Sequence, residues 1–282
     1  MSSFGIAGLQ LMLDGNDNLA KIEAEIVALR RRFPWVRMAL LGELGSFGAS
    51  PARAQALPGA AEHFFCDLAR SQGLWLVPGS LYEKHGEDIF NTAPVIDPKG
   101  NVVGRCRKLF PFVPYEKDVT PGSDFLVFDV PDIGRFGVCI CFDMWFPETI
   151  RSLVSLGAEV ILHPTMTSTI DRDVELSIAR ASAAINQCYF FDIATAGAYG
   201  NGRSIVCGPG GEVIYQAGDG RDVIVIDVDI ECVRKARAHG WHGLGQTLKS
   251  FRDSSLVYPA YGAGAVRSPA LESLGPLARR ER

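Results

Sequence analysis

Short apolar runs alternate with amphipathic stretches along nearly the whole chain, and this alternation limits the fold more than any other feature. Phe4 to Leu11 reads as a strand. Asn16 to Arg32 reads as a helix, with Leu19, Ile22, Ile26 and Leu29 at helical spacing and Pro34 just beyond its end. Val36 to Leu41 is a second strand, Pro58 to Gly73 a second helix, and Leu74 to Leu81 a third strand. The segment Val95 to Val103 sets β-branched residues on both sides of a Pro/Gly turn and reads as a hairpin. The same order then recurs. Strands are expected at Arg135 to Phe142, Glu159 to His163 and Cys188 to Thr195, helices at Glu148 to Leu156 and Asp173 to Gln187, and a hairpin at Ile205 to Ile214. A further strand spans Asp222 to Val228. Strands separated by helices predict an α/β protein with helices covering a sheet. The halves share an order of elements but no sequence repeat, and no linker divides them. One domain over residues 1–260 is expected. Residues 261–282, rich in Gly, Ala, Pro and Arg, form a tail that is either flexible or ordered at an oligomer interface.

Composition excludes several functions. Among 282 residues, 28 are basic and 32 acidic, with no long basic run, so charge does not suggest nucleic-acid binding. No segment approaches the roughly 18 consecutive apolar residues of a membrane span, and the N-terminal stretch does not read as a signal peptide. A cytoplasmic protein with no membrane partner is expected. The cysteines are Cys66, Cys106, Cys139, Cys141, Cys188, Cys207 and Cys232. They form no C-x-x-C pair, so most should be buried free thiols. His239 and His242 lack a third ligand nearby, and no metal is expected.

Three segments put a reactive side chain at the carboxyl end of an expected strand, the edge where α/β sheets usually bind ligands. Glu43 follows the strand at Val36 to Leu41. Lys108 sits in Arg105 to Glu116, among prolines that forbid a helix, with Glu116 eight positions later. Taken alone, each of these charges reads more readily as a solvated loop residue. The third segment is Gly137-Val138-Cys139-Ile140-Cys141-Phe142-Asp143-Met144-Trp145-Phe146-Pro147-Glu148, an apolar strand turning sharply into a helix. A nucleophile at such a turn has the logic of a nucleophile elbow. Strand alternation places Cys139 and Cys141 on one face, with Cys141 nearer the strand end and Cys139 a small core residue.

Together these segments resemble the nitrilase superfamily of carbon–nitrogen hydrolases. Its nucleophile motif, Gly-x-x-x-Cys-[aromatic or Asp]-Asp-x-x-[aromatic]-Pro-Glu, reads through Gly137 to Glu148. Its lysine segment is similar to Arg107-Lys108-Leu109, 33 residues before Cys141, and its early glutamate to Glu43. The resemblance covers roughly residues 4 to 230. One departure is Gly42, where the family usually has Pro, and this should leave the backbone before Glu43 less constrained. The run Lys108 to Glu116 resembles the aliphatic amidase and formamidase branch, in which a second glutamate, here Glu116, joins the site.

The resemblance implies a four-layer α-β-β-α sandwich and a homodimer or larger homo-oligomer. It implies that Glu43 is the general base, that Lys108 supplies positive charge, and that Cys141 attacks the carbonyl of a small amide to give a thioester. No metal or organic cofactor is implied. Phe112, Phe142, Trp145, His163 and Thr165 are candidates for the substrate-binding wall, His163 being equally readable as a satisfied loop histidine. Nitrile or N-carbamoyl hydrolysis would use the same three residues. A papain-like Cys141–His163 pairing and a non-catalytic binding protein on the same fold are the other readings.

Overall fold

The computed structural model describes residues 3–113, 115–258 and 269–277. In chain order the first half comprises β1 (Ser3–Gln10), β2 (Met12–Leu13), α1 (Leu19–Arg32), β3 (Val36–Leu41), β4 (Gln55–Ala56), α2 (Ala60–Gln72), β5 (Trp75–Val77), β6 (Leu81–His85), β7 (Asp88–Ile96) and β8 (Val102–Arg107). The second comprises β9 (Leu126–Val130), β10 (Gly134–Val138), α3 (Pro147–Ser155), β11 (Val160–Thr165), α4 (Arg172–Asn186), β12 (Tyr189–Ala194), β13 (Ala196–Gly197), β14 (Ile205–Cys207), β15 (Val213–Gln216) and β16 (Asp222–Asp229). The helices α5 (Ile230–His239), α6 (Thr247–Arg252) and α7 (Pro269–Glu272) follow.

Two sheets result. One has the order β16-β1-β3-β5-β7-β6-β4, with β8 also paired to β7; the other has the order β15-β14-β12-β11-β10-β9. Strand β16 leaves the second half and pairs antiparallel with β1 along its whole length, Ser3 opposite Asp229 and Gln10 opposite Asp222. The sheets therefore belong to one interlocked body.

Three separate apolar clusters define four layers. Ile22, Ile26 and Leu29 of α1 and Phe65 and Leu68 of α2 pack on Leu9, Ala39 and Leu76 of the first sheet. Phe4, Ile6, Met38, Leu40 and Val77 on the opposite face of that sheet meet Phe136, Val138, Leu162 and Phe191 of the second. Ile161, Phe190 and Ile205 on the far side of the second sheet meet Ile150 and Leu153 of α3 and Leu176 and Ala179 of α4. Central strands sandwiched in this way must be apolar on both faces, which is why β3, β11 and β12 read as continuous runs rather than alternating ones. Each fully buried Leu, Ile or Phe contributes about 1.5–3 kcal/mol relative to exposure. The α-β-β-α sandwich expected from the resemblance is the fold observed.

Two expected strands are shorter. Leu74 to Leu81 is broken after Val77, where Gly79 takes φ +78°, and β6 begins only at Leu81. The strand expected over Arg135 to Phe142 stops at Val138, and a short 3-10 turn occupies Cys141–Trp145. Cys139 and Cys141 consequently do not share a face: Cys139 lies in the helix-side cluster and Cys141 in the cluster between the sheets. Strand alternation lapses because β10 ends at Val138, before either cysteine, and Cys141 opens the turn with a left-handed φ of +47°. Of the tail expected at 261–282, residues 261–268 and 278–282 lie outside the described residues.

Candidate active site

Glu43 emerges two residues after β3 and is buried. Its N–H donates to the carbonyl of Thr165 at 3.1 Å, and its own carbonyl accepts from Thr195 Oγ1 at 2.9 Å. The chain can take this path because Gly42 has no side chain: a Cβ there would lie 2.4 Å from the backbone nitrogen of Thr195. The segment before Glu43 is thus tightly held, contrary to the expectation that Gly42 loosens it.

Lys108 follows β8 directly and is anchored through its backbone, its N–H donating to Asn91 O and its carbonyl accepting from Gly122 N–H, both at 2.8 Å. Its ammonium lies between two carboxylates, 2.8 Å from Glu43 Oε1 and 2.7 Å from Glu116 Oε2. All three side chains are at most 4% exposed. The Asn91 amide bridges the same carboxylates, with Nδ2 2.8 Å from Glu43 Oε1 and 2.8 Å from Glu116 Oε1. Phe112 N–H donates to Glu116 Oε2 at 2.7 Å, and the Tyr82 hydroxyl is 3.4 Å from Glu116 Oε1.

Burial works against the Lys108 charge, but Glu43, Cys141 and Glu116 outweigh it and hold the ammonium pKa well above its ordinary value. Burial raises the pKa of Glu43, helped by Glu116 and opposed by Lys108. Burial likewise pushes the Cys141 thiol well up, with Glu43 adding to the rise and Lys108 opposing it. Burial thus favours the thiol form of Cys141 over the thiolate. The Glu43 carboxyl interacts with both Lys108 and that thiol.

The Cys141 turn is fastened from two sides. Asp143 accepts from Ile140 N–H and from Phe110 N–H, each at 2.9 Å, tying the turn to the lysine loop. On the other side His163 Nε2 is 2.9 Å from the Cys141 carbonyl and Nδ1 is 3.0 Å from Asp192 Oδ1. Both partners are acceptors, so both ring nitrogens donate and His163 is an imidazolium. Burial opposes that charge, yet Asp192 prevails and the histidine pKa is raised. Asp192 Oδ2 accepts in turn from Arg172 Nη1 at 2.8 Å, and Arg172 Nη1 is 3.2 Å from Glu175 Oε2. Thr167 Oγ1 donates to that same oxygen at 2.7 Å.

Glu43, Lys108, Cys141 and Glu116 line one cavity of about 440 Å³, together with Phe112, Phe142, Trp145, Tyr82, Met166, Thr167, Asp171 and Glu175. The volume suits a small ligand. Phe112 and Phe142 meet edge to face at 5.1 Å between centroids, and Trp145 lies 6.0 Å from Phe142. Among the substrate-wall candidates, Phe112, Phe142 and Trp145 face the cavity, whereas His163 and Thr165 do not. Both are fully buried in β11, His163 beneath the Cys141 backbone and Thr165 holding Glu43 N–H and Thr195 N–H on its carbonyl. Their positions in a strand covered on both sides turn them into the protein rather than towards a ligand. The sequence reading passed over Asn91, Tyr82, Asp192, Arg172 and Glu175. Asp192 had a signal: a lone acid in the apolar run Tyr189–Ala194 requires a buried cationic partner.

The chain matches the Carbon-nitrogen hydrolase family over residues 5–238. It is 26% identical to the Omega-amidase NIT2 of Homo sapiens over 84% of this chain and 92% of that one. It is 33% identical to the Nitrilase of Pyrococcus abyssi over 65% of this chain and 71% of that one. Saccharomyces cerevisiae Nit3, of the nitrilase superfamily, superposes with a TM-score of 0.78 at 25% identity, covering 84% of this chain and 94% of that one. A mutant of the amidase from Nesterenkonia sp. AN1, showing Michael addition of acrylamide at its active site cysteine, superposes with a TM-score of 0.74 at 25% identity, covering 83% and 97%. A carboxyl, an ammonium and a thiol meeting in one small cavity agree with these likenesses, and the chain belongs to the carbon–nitrogen hydrolase family of the nitrilase superfamily, as an amidohydrolase.

Proposed function

We propose that the protein hydrolyses small aliphatic primary amides to a carboxylic acid and ammonia through a thioester on Cys141. The observation that supports this most is the shared cavity of Glu43, Lys108 and Cys141, with Glu116 holding the ammonium from the far side. The two carboxylates, themselves held by the Asn91 amide, take two of the three Lys108 N–H groups and leave a third for the substrate carbonyl.

Glu43 takes the Cys141 proton as sulfur attacks the carbonyl carbon. The resulting oxyanion is stabilised by Lys108 and by the N–H of Phe142, next to the nucleophile in the turn. Glu43 then returns its proton to the nitrogen, the C–N bond breaks, and ammonia leaves. With the thioester formed, Glu43 removes a proton from water, the hydroxyl attacks the same carbon, and the acid is released with the thiol restored. Glu116 keeps Lys108 charged and in place. The acrylamide adduct on the cysteine of the similar amidase is in accord with a small unbranched amide reaching this sulfur.

We infer one hydrolase domain over residues 1–260, since both sheets contribute to one cavity, and, from the family resemblance alone, a cytoplasmic homodimer or larger homo-oligomer. No helix among the described residues is long and apolar enough to cross a membrane.

Ammonia release from a panel of amides, nitriles and ureido acids tests the reaction. Turnover of short amides, lost in Cys141→Ala and accompanied by an acyl adduct on Cys141 in the mass spectrum of the quenched wild type, is expected. Release from nitriles with none from amides would overturn the reading.

A further inference from the structure

Glu175 has no part in the chemistry above, yet it stands in the first turn of α4 and lines the cavity. Its side chain is only 5% exposed. Oε2 is occupied by Thr167 Oγ1 and Arg172 Nη1, while Oε1 receives no hydrogen bond from the described residues. Glu175 Oε1 is not among the water-excluded atoms that lack a partner, so on a cavity-lining side chain it is open to a hydrogen-bond donor from a ligand.

The charges around the cavity are lopsided. Four lining residues are carboxylates, Glu43, Glu116, Asp171 and Glu175, and Lys108 is the one lining cation among the described residues. Lys108 already holds Glu43 and Glu116. Arg172, behind Glu175, is 1% exposed and turned inward, Nε to Gly202 O, Nη1 to Asp192 and Glu175, and Nη2 to Arg203 O. A carboxylate on the substrate would find no unengaged cation here and would be repelled by Glu175 and Asp171. A protonated amine would find Oε1 as a charge-assisted acceptor, in a cavity that Tyr199, Trp145 and Tyr115 also line.

Building on the amidase reading, we propose that Glu175 is the specificity-determining residue of the site and that the preferred substrate is a short amide whose acyl chain ends in a protonated amine. The ammonium docks on Glu175 Oε1 while the amide carbonyl meets Cys141 and Lys108 in the same cavity. Discrimination against an acyl chain ending in a carboxylate follows from the same residue.

The test compares kcat/KM for three amides of similar length: 3-aminopropanamide (cationic), butyramide (neutral) and succinamate (anionic). In wild type the cationic amide is expected to exceed succinamate by at least 100-fold, with butyramide between them. Glu175→Gln, which keeps the shape and the Thr167 contact but removes the charge, is expected to shrink that ratio at least tenfold, mainly through KM. Glu175→Asp should retain a preference for the cation. Should Glu175→Gln fail to fold, the wild-type order alone decides. Turnover of all three amides with succinamate equal to or better than the cation overturns this inference and leaves the amidase reading standing. Absence of turnover of any amide overturns both.

Discussion

Replacing His163 by Ala tests whether the ion network beneath Cys141 is what holds the nucleophile in its unusual backbone conformation. His163 donates to the Cys141 carbonyl at 2.9 Å and to Asp192 at 3.0 Å, and all of these groups are buried. Removing one partner from a buried charge network costs about 3–5 kcal/mol, since the remaining groups lose both hydrogen bonds and solvent. Asp192 keeps Arg172, so a cost towards the lower end of that range is expected. At about 2–4 °C per kcal/mol for a chain of this size, the melting temperature should fall by roughly 6–16 °C.

The catalytic effect comes from a different source. Cys141 sits at φ +47°, in the left-handed region, which costs a non-glycine residue about 1–2 kcal/mol. The clamp on its carbonyl opposes relaxation from that conformation. If the clamp is lost and that energy is released, the productive turn is depopulated by about 5–30-fold, since 1.36 kcal/mol is tenfold. The loss falls on kcat more than on KM, because His163 does not face the cavity. His163→Asn can satisfy one acceptor but not both and should lie between wild type and alanine.

The pH dependence has a definite sign. The folded-state pKa of His163 is raised above 6.5, so its stabilising contribution is fully present below 6.5 and is lost as pH rises through the folded value. The stability difference between wild type and His163→Asn should accordingly be widest in mild acid and narrow towards alkaline pH. Thermal unfolding across pH and steady-state kinetics on a short amide measure both effects. A His163→Ala protein that unfolds within 1 kcal/mol of wild type and keeps its kcat within about twofold would refute the clamp.

Two further predictions concern Glu43. Gly42→Ala forces a methyl to 2.4 Å from the Thr195 backbone and should destabilise by about 1–3 kcal/mol in denaturant titration, with reduced turnover as Glu43 shifts; unchanged stability would show that the approach can relax. Because burial raises the Glu43 pKa and the ionised carboxylate is the form that accepts the thiol proton, kcat/KM should fall as pH drops through a limb lying above 4.5. A limb at or below that value would mean that Glu43 is not the base.

Much of this architecture was legible because it rests on local patterning. The spacing of Ile22, Ile26 and Leu29 marks α1 and its inward face without reference to any other part of the chain. The motif around Cys141 and the spacing to Lys108 likewise point to a site, because the turn after β10 and the end of β8 are local events. What stayed illegible depends on partners distant in sequence. Asn91 is an unremarkable polar residue of β7 until Glu43, 48 positions earlier, and Glu116, 25 later, close on either side of its amide. His163 shows the same limit from the other direction. Its place after the nucleophile helix made it a candidate for the cavity wall, but the orientation of a strand-end residue is set by the neighbouring strand, and Asp192 opposite it in β12 draws the ring inward. The error is informative about how the site works. A histidine facing the cavity would have been a rival base to Glu43. Turned inward between a carboxylate and the nucleophile's own carbonyl, with both ring nitrogens donating, it has no lone pair with which to accept a proton. The ring of His163 is turned to the Cys141 carbonyl and to Asp192, not to the Cys141 sulfur, which argues against a papain-like pairing and leaves Glu43 as the base of the proposed mechanism.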